Sequence, residues 1–278
     1  MNATPEQLNF YAENGYLVLP NFVTSEACKR LRHRAAELVS AFEPGVNVSV
    51  FDNDPSKRDS DRYFLESGDK VRCFFEDGAF GPDGVALYPK DCSINKIGHA
   101  LHDLDPVFRD FSRTSDLARL CSDLGFHEPL LLQSMYIFKQ PRIGGAVNAH
   151  QDSSFLYTDP PSVTGFWFAL DDADRDNGCL WALPGGHRQG LKARYLQTDD
   201  GAQMETWDPT PWPEQGWMPL EAREGTLVIL HGSLPHRSEI NHSSRPRAAY
   251  TLHLVEGAAH YPDDNWLQRS KQLPMTGF

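Results

Sequence analysis

The chain has 278 residues, 40% of them hydrophobic and 23% charged, with 21 Gly and 20 Pro, an ordinary globular composition rich in turns. Its 26 basic and 38 acidic residues leave a formal charge of −12, which argues against a general nucleic-acid surface and against anionic membranes. The five cysteines (Cys28, Cys73, Cys92, Cys121, Cys179) are odd in number, widely spaced and free of Cys-x-x-Cys pairs, so neither a disulfide framework nor a structural zinc site is expected.

Thr4-Pro5-Glu6-Gln7 offers an N-cap, a proline at the first helical position and a capping-box glutamine. Tyr16 to Leu19 reads as a short buried strand stopped by Pro20, and Thr24 or Ser25 caps a helix with Cys28, Leu31, Ala35, Leu38 and Val39 on one face. Residues 43–75 are mostly polar, with a brief alternation at Val46, Val48 and Val50, and are expected to form a loop or lid. Asp105-Pro106 starts a further helix expected to run to about Gly125.

The pattern changes near residue 130. Leu130 to Phe138, Val163 to Leu170, Gly178 to Leu183, Gly225 to Leu230 and Ala248 to Val255 are short apolar or alternating runs, separated by glycine- and proline-rich turns. Helices first and short strands later predict an α+β protein with an antiparallel sandwich or jelly roll in its second half. We expect one domain over 1–278, with a helical N-terminal elaboration over about 1–128 and the β core over about 129–256. No segment approaches the length of a membrane span. Met1 to Phe10 lack the regions of a secretory signal, and Met275-Thr276-Gly277-Phe278 is not a peroxisomal address, so cytoplasm is the expected location.

The chemistry-bearing run is His150-Gln151-Asp152. With 11 His in the chain, about one His-x-Asp triplet arises by accident, so the run needs context. On extended backbone, residues two apart project to one side. His150 and Asp152 thus offer an imidazole and a carboxylate to one ion, and a distant second histidine would complete the facial triad that suits non-heme Fe(II). His236 is the first choice and His231 the competitor. Arg247 follows His236 by 11 residues, and a hairpin through Asn241 to Pro246 would bring its guanidinium beside the pocket to grip a carboxylate. Arg237 and Arg245 lie near enough to be mistaken for it. The remaining histidines, including His99 and His253, read as structural or surface residues.

These residues resemble the phytanoyl-CoA dioxygenase family of iron(II)/2-oxoglutarate oxygenases. The stretches that carry the resemblance are ENGYLVLPNF, SGDKVRCFFE, SINKIGHALHDLDPVF, QSMYIFKQP, HQDSSFLYT, DNGCLWALPGGH, HGSLPHRS, AAYTLHL and NWLQ, which together span nearly the whole chain. The resemblance implies a double-stranded β-helix (jelly-roll) core holding Fe(II) and 2-oxoglutarate, with dioxygen as the third reactant. It implies His150, Asp152 and His236 as iron ligands, Arg247 on the distal carboxylate, and Lys96, Met135, Trp167 and Ser238 as further cosubstrate contacts. By residue type alone, Trp167 and Met135 also read as core, Lys96 as a surface lysine and Ser238 as a turn residue. The retained Asp152 implies a hydroxylase-type site, since related halogenases lack that carboxylate. The partner is then a small-molecule substrate. The family name suggests an acyl-CoA, but Lys139, Arg142 and the Arg188-to-Arg194 stretch read as solvated loops rather than a phosphate site. A cupin-like metalloenzyme of another reaction class and a non-catalytic 2-oxoglutarate-binding protein are the rival readings.

Overall fold

The computed structural model describes residues 3–45, 48–51 and 59–278. Helix α1 (Pro5–Asn14) starts at the expected capping box, with the Thr4 hydroxyl accepting from Gln7 N and the Gln7 side chain accepting from Thr4 N. It leads into β1 (Tyr16–Leu19) and α2 (Ser25–Ala41), whose Cys28, Leu31, Ala35 and Val39 are buried while Leu38 packs at the margin of the core.

Residues 43–75 are not one loop. Val50–Phe51 forms β2, Arg62–Leu65 a single helical turn (α3), and Val71–Glu76 a strand (β3) that pairs in parallel with β2. Val46 lies outside the described residues, as do 52–58. The chain continues through β4 (Ile94–His99) and α4 (Leu101–Leu104). The single helix expected from Pro106 is two, α5 (Pro106–Ser112) and α6 (Ser115–Asp123). The break falls at Arg113-Thr114, where the Thr114 hydroxyl accepts from Leu117 N and so caps a new helix.

Then come β5 (Pro129–Ile137), β6 (Val147–His150), β7 (Thr164–Ala169), β8 (Leu180–Ala182), β9 (Ala193–Thr198), β10 (Gly201–Thr206), β11 (Met218–Leu220), β12 (Leu227–His231), β13 (His236–Ser238) and β14 (Ala249–Glu256). Eight strands form one sheet in the order β1-β12-β7-β14-β5-β4-β3-β2, and four form a smaller one, β11-β8-β13-β6. The two sheets face each other across a cavity, which is the jelly roll.

Alternation along β7 explains why every residue of it is buried. Phe166 and Phe168 join the core beneath α2 and α5, whereas Trp167 and Ala169 face the smaller sheet and pack with Leu180 and Ala182. The segment from His236 to Arg247 is not a hairpin. Strand β13 pairs with β6 and β8 in the small sheet, and β14 pairs with β5 and β7 in the large one, so the connection crosses between sheets. No helix among the described residues is long and apolar enough to cross a membrane.

A buried charge hub ties the end of the chain to this frame. Asp103 receives Arg113 Nη2 at 2.5 Å, Arg269 Nη2, and a contact of 3.2 Å from His102 Nε2. Arg269 Nη1 also donates to Leu132 O on β5 at 3.0 Å. Burial alone would raise the Asp103 carboxyl, but the His102 ring and Arg269 outweigh it and hold the group well below the carboxylate range. A depressed carboxylate contributes stability that is complete above its unfolded pKa of about 3.9 and is lost as pH falls below it. Replacing Asp103 with Asn should therefore cost about 3 kcal/mol at pH 7. In urea titrations, the gap between wild type and variant should shrink progressively as pH falls below about 5; a constant gap would refute the ion-pair account.

Candidate metal centre and cosubstrate chamber

His150 ends β6, and Asp152 opens a 3-10 turn over 152–154. Gln151 between them is extended (φ −120°, ψ 130°), which puts its neighbours on one side and its own amide on the other. That amide is buried and fully used: Nε2 donates to Ser233 O (2.7 Å) and Gly190 O (2.8 Å), and Oε1 accepts from Lys192 N. Gln151 thus bolts the triplet to the loop preceding β13. Across the β6–β13 pair His236 lies opposite His150, with ring centroids 4.2 Å apart.

One donor atom each from His150, Asp152 and His236 lies within 4.8 Å of the others. The two Nε2 atoms stand 3.7 and 3.6 Å from Asp152 Oδ1. His150 Nδ1 contacts Asn148 O at 2.8 Å, and His236 Nδ1 contacts Leu234 O at 3.0 Å. A carbonyl only accepts, so each Nδ1 carries a proton, and each Nε2 faces the centre. Desolvation, and then the adjacent His236 ring, lower His150 to about 4. Burial would raise Asp152, yet the His236 and His253 rings overcome it and keep the carboxylate ionised. A donor set of two imidazoles and one buried carboxylate matches a divalent ion of the Fe(II) type, and Asp152 Oδ2 is buried with no hydrogen bond in good geometry.

His231, the competing histidine, is elsewhere. At the end of β12 it accepts from Ser233 N through Nδ1 and packs beside His187 and Tyr11. His253, by contrast, reads from the sequence as a structural or surface histidine, yet it stands in the site. Its Nε2 is 3.3 Å from Asp152 Oδ2, the oxygen turned away from His150 and His236, and its Nδ1 is buried without a partner. Counting by twos from Arg247 would have found it, since 247, 249, 251 and 253 share one face of β14 and its approach. Gly165 leaves room for this contact: a Cβ there would lie 3.0 Å from Asp152 Oδ2 and 3.4 Å from the His253 ring.

Behind the three ligand candidates is a chamber of about 150 Å³, whose walls include Lys96, Met135, Trp167, Ser238 and Arg247. Arg247 is 2% exposed, with Nε donating to Gly178 O at 3.1 Å and Nη1 buried without a hydrogen-bond partner. Its guanidinium lies 5.5 Å from the Trp167 ring centre. Burial lowers it to about 10, so it remains a cation at neutral pH. A buried cation with an unused donor on the wall of a chamber is the expected seat of an anion. Lys96, Trp167 and Ser238 are likewise buried, and Lys96 Nζ sits 3.2 Å over the Phe51 ring.

Of the other arginines, Arg245 is exposed and pairs with Asp174, whereas Arg237 also borders the chamber and contacts Glu239. Lys139 is not a solvated loop residue. It is 2% exposed, with Nζ donating to Gly145 O (2.6 Å) and Glu239 O (2.7 Å), and burial followed by the nearby Arg247 charge lowers it to about 7.

Residues 11–249 match the sequence profile of the phytanoyl-CoA dioxygenase (PhyH) family. The chain is 46% identical over 269 residues to a phytanoyl-CoA dioxygenase of Arabidopsis thaliana, covering 96% of this chain and 94% of that one. It is 42% identical over 281 residues to phytanoyl-CoA dioxygenase domain-containing protein 1 of Mus musculus, covering 98% and 97%. In fold it is similar to the non-heme alpha-ketoglutarate-dependent carbocyclase SnoK from nogalamycin biosynthesis, with TM-score 0.65, 17% identity, and 99% and 97% of the two chains covered. EctD from S. alaskensis with bound Fe gives TM-score 0.64 at 19% identity, over 96% and 82%. The chain therefore belongs to the phytanoyl-CoA dioxygenase family of iron- and 2-oxoglutarate-dependent oxygenases.

Proposed function

We propose that His150, Asp152 and His236 hold Fe(II), that Arg247 anchors 2-oxoglutarate in the chamber behind them, and that the enzyme hydroxylates a small organic substrate. The observation that carries this is the meeting of three metal-type donors and a buried, half-used guanidinium on one cavity. Bound there, ferrous iron with 2-oxoglutarate and dioxygen supplies the oxidising power, one oxygen atom ending in succinate and the other in the hydroxylated product, with carbon dioxide released.

The protein's part is placement. The Asn148 and Leu234 carbonyls fix the His150 and His236 rings through Nδ1, leaving Nε2 for the metal. His253 faces the outer oxygen of Asp152, so that Oδ1 is left to the metal. Arg247 offers two parallel donors to a carboxylate, and Trp167 walls that end of the chamber. Lys96, Met135 and Ser238 are further contacts for the cosubstrate, and the largely apolar lining keeps water from the reacting centre.

Anaerobic titration separates this reading from its rivals. Fe(II) plus 2-oxoglutarate should give a visible metal-to-ligand charge-transfer band, and admitting oxygen should release succinate. A cupin-like enzyme of another class would give no such band. A binding protein would give the band without succinate above background, and either result would overturn the proposal.

A further inference from the structure

A second chamber, of about 310 Å³, adjoins the first. The two share walls at Lys96, Met135, His150, Asp152 and His253, so two of the three metal candidates stand on their common boundary, and His236 lines the first chamber. With the cosubstrate placed on Arg247 in the first chamber, the second is the space left beside the metal for the molecule that reacts. Its far wall is aromatic and aliphatic. Phe64 and Trp266 stack at 4.5 Å with ring planes 7° apart, and Phe155, Leu156 and Met204 complete the surface.

Beyond the shared boundary, polar groups of His99, Gln133, Asn148 and Trp266 interrupt this lining. Gln133 is 5% exposed and lines the chamber with its side chain. It lies on β5 two residues before Met135, directly opposite His253 on β14. The Trp266 indole N–H is buried without an acceptor among the described residues. The unmatched indole N–H costs free energy unless a ligand supplies the acceptor, and the Gln133 amide offers a donor and an acceptor to the same chamber. Among the described lining residues the formal charges are those of Lys96 and Asp152, both on the shared boundary. An ionised group lodged deeper would thus lie without a counter-charge.

We infer that this chamber is the primary-substrate subsite, and that Gln133 selects an uncharged, compact molecule with a flat apolar body and one hydroxyl or carbonyl oxygen. The inference rests on the proposed iron and 2-oxoglutarate site next to it. Gln133 is a specificity residue here, distinct from the metal and cosubstrate contacts. The volume is at the lower end of small-molecule sites, which fits a two-ring body rather than a long chain.

The test uses three probes of one shape: 2-naphthol, naphthalene and 2-naphthoate. Each is equilibrated by dialysis under nitrogen with the enzyme loaded with Fe(II) and 2-oxoglutarate. 2-Naphthol should bind about 3- to 10-fold more tightly than naphthalene, the worth of one ordinary hydrogen bond, and 2-naphthoate should bind most weakly. Gln133→Leu, close in volume, should erase the advantage of 2-naphthol while leaving naphthalene unweakened. Trp266→Ala should weaken all three. Absence of 2-naphthol binding, equal or tighter binding of 2-naphthoate, or an unchanged 2-naphthol-to-naphthalene ratio in Gln133→Leu would overturn the inference. So would indifference of all three probes to Trp266→Ala. The charge-transfer band, read on the same samples, keeps the two readings apart: with the band present, a wrong ranking refutes only the subsite, whereas its absence refutes the site on which the subsite rests.

Discussion

Replacing Arg247 with alanine should weaken 2-oxoglutarate binding by about 30-fold to several thousand-fold, the 2–5 kcal/mol typical of removing one partner from a buried charged pair. The size follows from where the guanidinium sits. It is 2% exposed, its Nε is committed to Gly178 O, and Nη1 has no partner among the described residues. A carboxylate arriving beside it meets a cation already stripped of water, which strengthens the attraction over that at a surface. Arg247→Lys should fall in between, because an ammonium keeps the charge but not the paired geometry. Charge-transfer titration at fixed Fe(II) gives the dissociation constant directly, and the KM for 2-oxoglutarate should rise in parallel. A dissociation constant in Arg247→Ala within about threefold of wild type would leave the anchoring role without support.

Asp152→Ala should abolish turnover, with a loss beyond the roughly 100-fold typical of outer-shell changes around a metal. Asp152 is the only carboxylate in the ligand cluster, and its Oδ1 stands near 3.6 Å from both imidazole Nε2 atoms. Without it, two imidazole rings and no anionic ligand of the cluster remain to hold a dication. His231→Ala is the matched control. His231 lies against His187 and Tyr11, outside the cluster, so its loss should leave Fe(II) affinity and succinate release near wild-type values. Wild-type succinate release by pure Asp152→Ala, or equal damage from His231→Ala, would defeat the assignment.

The strands that could be read from the sequence are those buried on both faces. Strand β7 and most of β5, β12 and β14 are continuous apolar runs, because helices cover one side and the small sheet the other. Among the strands that escaped, β4, β6 and β13 have residues that serve the cavity, whereas β9 and β11 are short strands away from it. In β4, Asn95, Lys96, Gly98 and His99 break the apolar pattern, and in β6 and β13 most positions are polar. Functional positions depart from local rules in this way. The placement of Arg247 was anticipated beside the pocket, but through a hairpin; the crossing between sheets depends on long-range pairing that no local pattern encodes. His253 was missed because a histidine in an apolar strand looks like core until its opposite number, Asp152, is located.

The wall that carries Trp266 comes from the chain's closing segment, not from a barrel strand, and Arg269 three residues on clamps that segment to Asp103 and Leu132. Appetite for different molecules can therefore drift through changes in a terminal appendage while the oxidising machinery stays untouched. A tag or deletion that pulls on the final dozen residues would alter what the enzyme accepts before it altered whether the enzyme works.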